Sequence, residues 1–178
     1  MILTDEYQYV GCSNAVRAYK SAWSYYLLLY AKTAPDTVTG SHLVSVKMRL
    51  ACTASSSFYK FPTAGSIVVD DVSLLVWTRD YLPGEAWEGT EKLTEDGRTY
   101  RRWTDIAEGT VTIEAEYAEK EITVSALWQR LPMVTTPPDW LASTTQASVE
   151  VTVTLPEIEN PNAGDANKLP DLMPDEDS

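Results

Sequence analysis

The sequence predicts an all-β fold, a single antiparallel β-sandwich (Ig-like or jelly-roll-like) of seven or eight strands followed by an extended acidic tail. Three observations lead there. Apolar and polar residues alternate with a period of two in several separate segments, as in strands with one buried and one solvated face. Helical periodicity does not recur. The aromatic set is skewed, with ten Tyr and six Trp against two Phe. Tyr and Trp join a large apolar body to a polar handle, which suits half-exposed sheet faces and interfaces. At 178 residues the chain is long enough for one well-buried domain and short for two.

The elements follow in chain order. Trp23 to Lys32 is dense in aromatic and apolar residues and reads as a strand buried on both faces. Val44, Val46, Met48 and Leu50 alternate with Ser45, Lys47 and Arg49, a strand expected to keep one wet face. Ser66 to Val69 and Val72 to Thr78 flank Asp70-Asp71, a hairpin whose turn Asp can make because it tolerates left-handed backbone. Residues 80–97, with Pro83, Gly84, Gly89 and Asp96-Gly97, read as a long loop. Arg98 to Thr104 is expected to be a short strand. Thr110 to Tyr117 and Glu121 to Trp128 alternate, and Ala118-Glu119-Lys120 between them predicts a tight hairpin. A Pro- and Thr-rich connection over residues 131–139 precedes the most regular alternation, Ser148 to Leu155. Short helical turns are expected only at Asp139 to Ala142, behind Pro137-Pro138, and within Asn14 to Lys20. Several strands have only one apolar face, and a sandwich buries such faces in pairs.

Charge divides the chain. Residues 156–178 hold seven acids against the single base Lys168, half of the net charge of −12. With four prolines and no aromatic residue, that segment reads as a disordered tail or linker, so the sandwich is placed at 1–155 and the tail at 156–178. No basic stripe is present, so nucleic acid is not an expected partner. The start Met1 to Glu6 has acids where a signal peptide needs bases, and the apolar run Tyr25 to Ala31 is too short to cross a bilayer. A soluble chain made in the cytoplasm, with no membrane partner, is the expectation. Cys12 and Cys52 match no disulfide framework or metal motif, and free thiols are expected.

No catalytic, metal or cofactor site is expected. His42, the lone histidine, sits in a polar segment before a strand and reads as an ordinary surface residue. Glu85, Glu88, Glu91, Glu95 and Asp96 lie near Trp87 but without the diagnostic placement of a glycosidase pair. Asp70, Asp71 and Asp80 lack the spacing of a calcium loop, and Gly84 and Gly89 lack that of a phosphate loop. Arg98, Arg101 and Arg102 cluster beside Tyr100 and Trp103. This group could stack on a sugar or grip an acidic segment, or could simply protect an edge strand by charge. Tyr81, Trp87, Tyr100, Arg101, Arg102 and Trp103 are therefore the candidate interaction residues.

The ordered pieces Trp23-Ser24-Tyr25-Tyr26-Leu27, Val44 to Leu50, Gly65 to Asp71, Gly109 to Ile113, Val124 to Trp128 and Val151 to Pro156 resemble the β-sandwich modules of siphovirus and prophage tail proteins. Asp71 departs from the glycine usual in their hairpins, and the loop from Arg79 to Gly97 is longer. The resemblance implies a virion structural protein, a tail, tail-tip or fibre component, synthesised in the host bacterial cytoplasm. Such a protein would form homo-oligomers, contact other virion proteins and take part in host attachment. Separately, the opposite charge of residues 156–178 and the Arg98, Arg101 and Arg102 strand leads to the expectation that the tail lies across an adjacent subunit. A carbohydrate-binding module recognising a cell-surface glycan is the alternative, and a pilus-like bacterial surface domain a third.

Overall fold

The computed structural model describes residues 1–19, 23–53, 61–82, 92–130 and 145–161. They form an all-β fold of eleven strands: β1 (Gln8–Cys12), β2 (Val16–Tyr19), β3 (Trp23–Asp36), β4 (Ser41–Cys52), β5 (Phe61–Val69), β6 (Val72–Leu82), β7 (Leu93–Glu95), β8 (Arg98–Tyr100), β9 (Arg102–Glu114), β10 (Lys120–Arg130) and β11 (Thr145–Leu155). The first sheet runs β1-β3-β4-β9, with β2 following β1 along the same edge of β3; the second runs β11-β10-β5-β6. All of these strand pairs are antiparallel. The hairpin β7-β8 stands apart as a third, two-stranded sheet.

The core fills the space between the two large sheets. Leu27, Leu29 and Ala31 of β3 and Val44, Val46, Met48 and Leu50 of β4 face Ile67, Val69, Val124, Trp128, Val153 and Leu155 from the other sheet. Each such aliphatic side chain contributes about 1.5–3 kcal/mol on complete burial. The Trp128 ring lies 6.5 Å from that of Tyr25, joining the sheets where the largest side chains meet.

The predicted Asp70-Asp71 hairpin forms, with φ of 50° and 65° at its two turn residues. These left-handed values match the twist of the flanking strands. Elsewhere the chain departs from its sequence reading. Val16–Tyr19 is a strand and not a helical turn, because it completes the edge of β3. The loop over 80–97 contains the end of β6 and the hairpin β7-β8, turned at Asp96-Gly97 with φ of 52° and 78°. Arg98 to Thr104 is split at Arg101 between β8 and β9, and β9 continues through to Glu114. The predicted hairpin around Ala118 does not form. β9 pairs with β4 while β10 pairs with β5 and β11, so residues 115–119 carry the chain from one sheet to the other. The segments 131–144 and 162–178 lie outside the described residues, and with them the Asp139 to Ala142 turn.

His42 is buried, not on the surface. Its Nε2 lies 2.9 Å from the Pro156 carbonyl and its Nδ1 2.8 Å from Thr33 Oγ1. A carbonyl only accepts, so Nε2 carries the proton and Nδ1 accepts from the threonine hydroxyl. The chain beyond β11 is thereby held to its own sandwich. The Ile158 N–H donates to the Tyr117 carbonyl at 2.8 Å, and the Ile158 side chain is buried. The first residues of the acidic segment thus pack against their own sandwich. At the other terminus the Leu3 N–H donates to Thr154 O and the Thr154 N–H to Met1 O, both at 2.9 Å, covering the free edge of β11. Cys12 and Cys52 do not form a disulfide.

Gly40 and Asp71 give opposite expectations for substitution. At Gly40 φ is +73°, and a methyl group would stand 2.5 Å from Tyr117 Cδ2. Gly40→Ala is expected to cost about 1–3 kcal/mol, read as a lower urea midpoint with unchanged slope. Asp71→Gly, at φ 65° in an exposed hairpin turn, is expected to raise the midpoint by about 0.5–1 kcal/mol in stability.

Candidate functional site

The face of the first sheet that points away from the core is built in rows. Register places Lys32, Ser45 and Thr110 side by side, then Tyr30, Lys47 and Glu108, then Leu28, Arg49 and Asp105, then Tyr26, Ala51 and Trp103. β1 adds Tyr9 opposite Tyr30 and Cys12 opposite Leu28. A bulge makes the β9 part possible. Met48 pairs with Ala107 and Arg49 with Asp105, leaving Ile106 over. The extra residue lets Asp105 and Glu108 share the outer face while Ala107, Val111 and Ile113 pack against the core.

This face was expected to be wet, and it is not. Leu28, Tyr30, Ala51 and Tyr100 are buried in a second cluster, with Tyr7, Tyr9, Tyr26, Leu93 and Trp103 packed around it. Leu93 and Tyr100 come from the β7-β8 hairpin, which lies over one half of the face. The cations are embedded between the rings. The Arg49 guanidinium sits 3.9 Å from the Trp103 ring centre and 4.8 Å from that of Tyr30. It also donates to both oxygens of Asp105, from Nε at 2.6 Å and Nη2 at 3.2 Å. Lys47 reaches Asp105 at 3.7 Å and lies 4.4 Å from the Tyr7 ring centre; Lys32 stands 4.6 Å from the same ring. The Tyr7 hydroxyl donates to Glu108 at 2.6 Å. Arg98 covers the Tyr26 ring at 4.2 Å. Each cation–ring contact contributes about 0.5–1 kcal/mol when exposed and up to about 2 when desolvated.

Burial sets the acid–base character of the face. Tyr9 is pushed up to about 12, by burial first and then by its neighbours Cys12, Asp96 and Glu95. Burial also raises Tyr7, aided by its bond to the Glu108 carboxylate, and raises Tyr30 against the opposing pull of Arg49. Tyr100 is raised by burial, although Arg98 works the other way. The Arg49 guanidinium loses hydration, which lowers its value, yet the bonds and charge of Asp105 leave it raised.

The sequence-predicted residues fare unevenly. Tyr100 was expected to be a presented aromatic anchor and is instead buried at 1% exposure. Its hydroxyl lies 3.7 Å from Cys12 Sγ and 3.5 Å from Arg98 Nη1, a closed polar group beneath the hairpin. Trp103 is half-buried with Arg49 against one ring face. Arg101 is exposed, its backbone N–H fixed to Cys52 O at 2.9 Å, and the half-exposed Arg102 donates to Arg101 O at 3.3 Å. Tyr81 belongs to β6 of the other sheet, and Trp87 lies outside the described residues. Sequence reasoning missed Tyr7, Tyr9, Tyr30, Lys47, Arg49, Asp105 and Glu108. The alternating Lys47 and Arg49 were the available signal, but their acids are known only once the register across β4 and β9 is known.

No family model, no curated protein and no solved structure matches this chain. What the surface can do must be argued from its own chemistry, that of flat rings, guanidinium groups set against them and the exposed Arg101.

Two measurements probe this layer. Arg49→Met removes a bidentate ion pair in a half-buried setting and is expected to destabilise by about 1.5–3 kcal/mol, read from urea unfolding. The raised tyrosines fix the alkaline limit. Unfolded tyrosine loses its proton near the ordinary value of 10 and folded Tyr9 at about 12, so the stabilisation is complete below pH 10 and lost as pH rises from 10 to 12. Tyrosinate absorbance is expected to rise together with unfolding across that window. Full ionisation of the native state near pH 10 would show the layer to be open to water.

Proposed function

We propose that this chain is a structural component of a bacteriophage particle, a tail, tail-tip or fibre protein that works by assembling with copies of itself and with other virion proteins and takes part in host attachment. The observation that carries the reading is the outer face of the first sheet. Six aromatic side chains and four cations gather there, and Tyr, Trp and Arg among them are residue types enriched at the centres of protein interfaces. The all-β architecture and the order of its strand motifs, which resemble those of siphovirus tail modules, point the same way.

Carbohydrate binding is the second reading, and it too draws on these rings. A sugar stacks its C–H face on an open ring, whereas Tyr7, Tyr26, Tyr30 and Trp103 each already carry a Lys or Arg over a ring face. That occupancy favours protein contact.

Light scattering on a sizing column decides between the two. Oligomers whose mass grows with protein concentration are the expected result. A protein monomeric at every concentration that bound a bacterial surface polysaccharide, and lost that binding in Trp103→Ala, would overturn the assembly reading in favour of the glycan one.

A further inference from the structure

The two ends of the sandwich differ in kind. One end holds the β3-β4 and β5-β6 turns, residues 115–119, and the chain after β11. Every large apolar side chain that is exposed among the described residues belongs to it: Val38 at 81%, Met1 at 62%, Ile2 at 55%, Val72 at 50% and Leu43 at 47%. Val38 and Val72 sit at or beside turns, Leu43 is the third residue of β4, and Ile2 bridges to Thr154 near the end of β11. The same end carries, on the first sheet, a hollow of about 430 Å³ lined by Asp36, Thr39, Ser41, Thr112, Glu114 and Glu116. Three carboxylates and no base line it, and Lys120, whose Nζ donates to the Glu114 carbonyl at 2.9 Å, is paired with Asp70 at 3.5 Å.

The opposite end carries Arg101 and Arg102, which stand where β9 begins, against Cys52. The twelve residues of β4 separate Ser41 at the acidic end from Cys52 at the basic one, roughly 36 Å at 3.3 Å per residue. A single copy therefore cannot bring its own hollow onto Arg101.

We infer that copies of this chain associate head to tail, the acid-lined hollow and exposed apolar tip of one receiving the Arg101 and Arg102 end of the next. This rests on the assembly reading and adds its polarity. Charge complementarity names the occupant: a guanidinium fits an acid-lined hollow, and the apolar rim supplies area that excludes water. Because the contact joins two different surfaces, it propagates into a ring or a filament and does not stop at a two-fold dimer.

A charge-reversal pair tests it. In Glu114→Lys/Glu116→Lys the hollow is made basic; in Arg101→Glu/Arg102→Glu the other end is made acidic. Both sets are surface residues, and unchanged urea midpoints would show that the fold is intact. Each variant alone is expected to associate at least about ten-fold more weakly than the wild type, because like charges now meet. An equimolar mixture is expected to recover association, since each variant retains the end its partner needs. Added salt is expected to weaken the wild-type contact. Wild-type oligomers indifferent to both reversals would overturn the polarity and leave the assembly reading standing, as would a mixture that failed to recover. A wild type monomeric throughout would remove both, and retention of a poly-arginine peptide by that monomer would assign the hollow to a foreign basic segment.

Discussion

β3 sets the terms for the whole molecule. It lies inside the first sheet, with β1 and β2 along one edge and β4 along the other, and it is apolar on both faces. Leu27, Leu29 and Ala31 point into the sandwich, while Leu28 and Tyr30 point out of it. A two-layer sandwich covers only the inner set. The outer set would expose a contiguous apolar strip unless something else were laid over it. The tyrosines of β1, the β7-β8 hairpin and the stems of Lys47 and Arg49 supply that third layer.

The third layer accounts for the electrostatics of the face. Water is displaced from around Arg49 and Lys47, so their charges need near partners. Asp105 takes both, and Glu108 takes the Tyr7 hydroxyl. Ring faces complete the shell at little desolvation cost, because guanidinium is weakly hydrated and the π cloud is negative. The bulge at Ile106 is what aligns the acids with the bases. Without it, every β9 residue past Ile106 would turn over, and Glu108 would point into the core.

Local signals in the sequence were read well. The alternation of β4 and β11, the doubly buried character of β3 and the Asp70-Asp71 turn depend on neighbours within a few residues, and all of them form. Long-range facts were not legible. Ala118-Glu119-Lys120 has hairpin length, but whether two strands pair or pass to opposite sheets depends on which partners they find, and β10 finds β5 and β11. The face holding Lys47 and Arg49 has the polarity of a wet one. It is largely covered because Tyr7 and Tyr9 and a hairpin almost fifty residues away in sequence pack over it. His42 looked like loop polarity and is a buried bridge, since its partners Thr33 and Pro156 converge only in the fold. The candidate residues suffered the same way: Tyr100 was singled out for its neighbours Arg98 and Trp103, and those contacts close it off.

The acidity of one end has two sources, which physical chemistry separates. Asp70 and Asp71 occupy left-handed turn positions where Asp is among the few side chains that sit comfortably. Their charge is a by-product of turn geometry. Glu114 ends a strand, and Glu119, Glu157 and Glu159 are exposed at the same end, where backbone geometry makes no demand for an acid. Glu116 goes further. It holds φ at 51°, where Gly, Asn or Asp would be less strained, so local conformation argues against the residue that is there. The turn therefore does not account for the acid at Glu116, whose carboxylate lines the hollow instead.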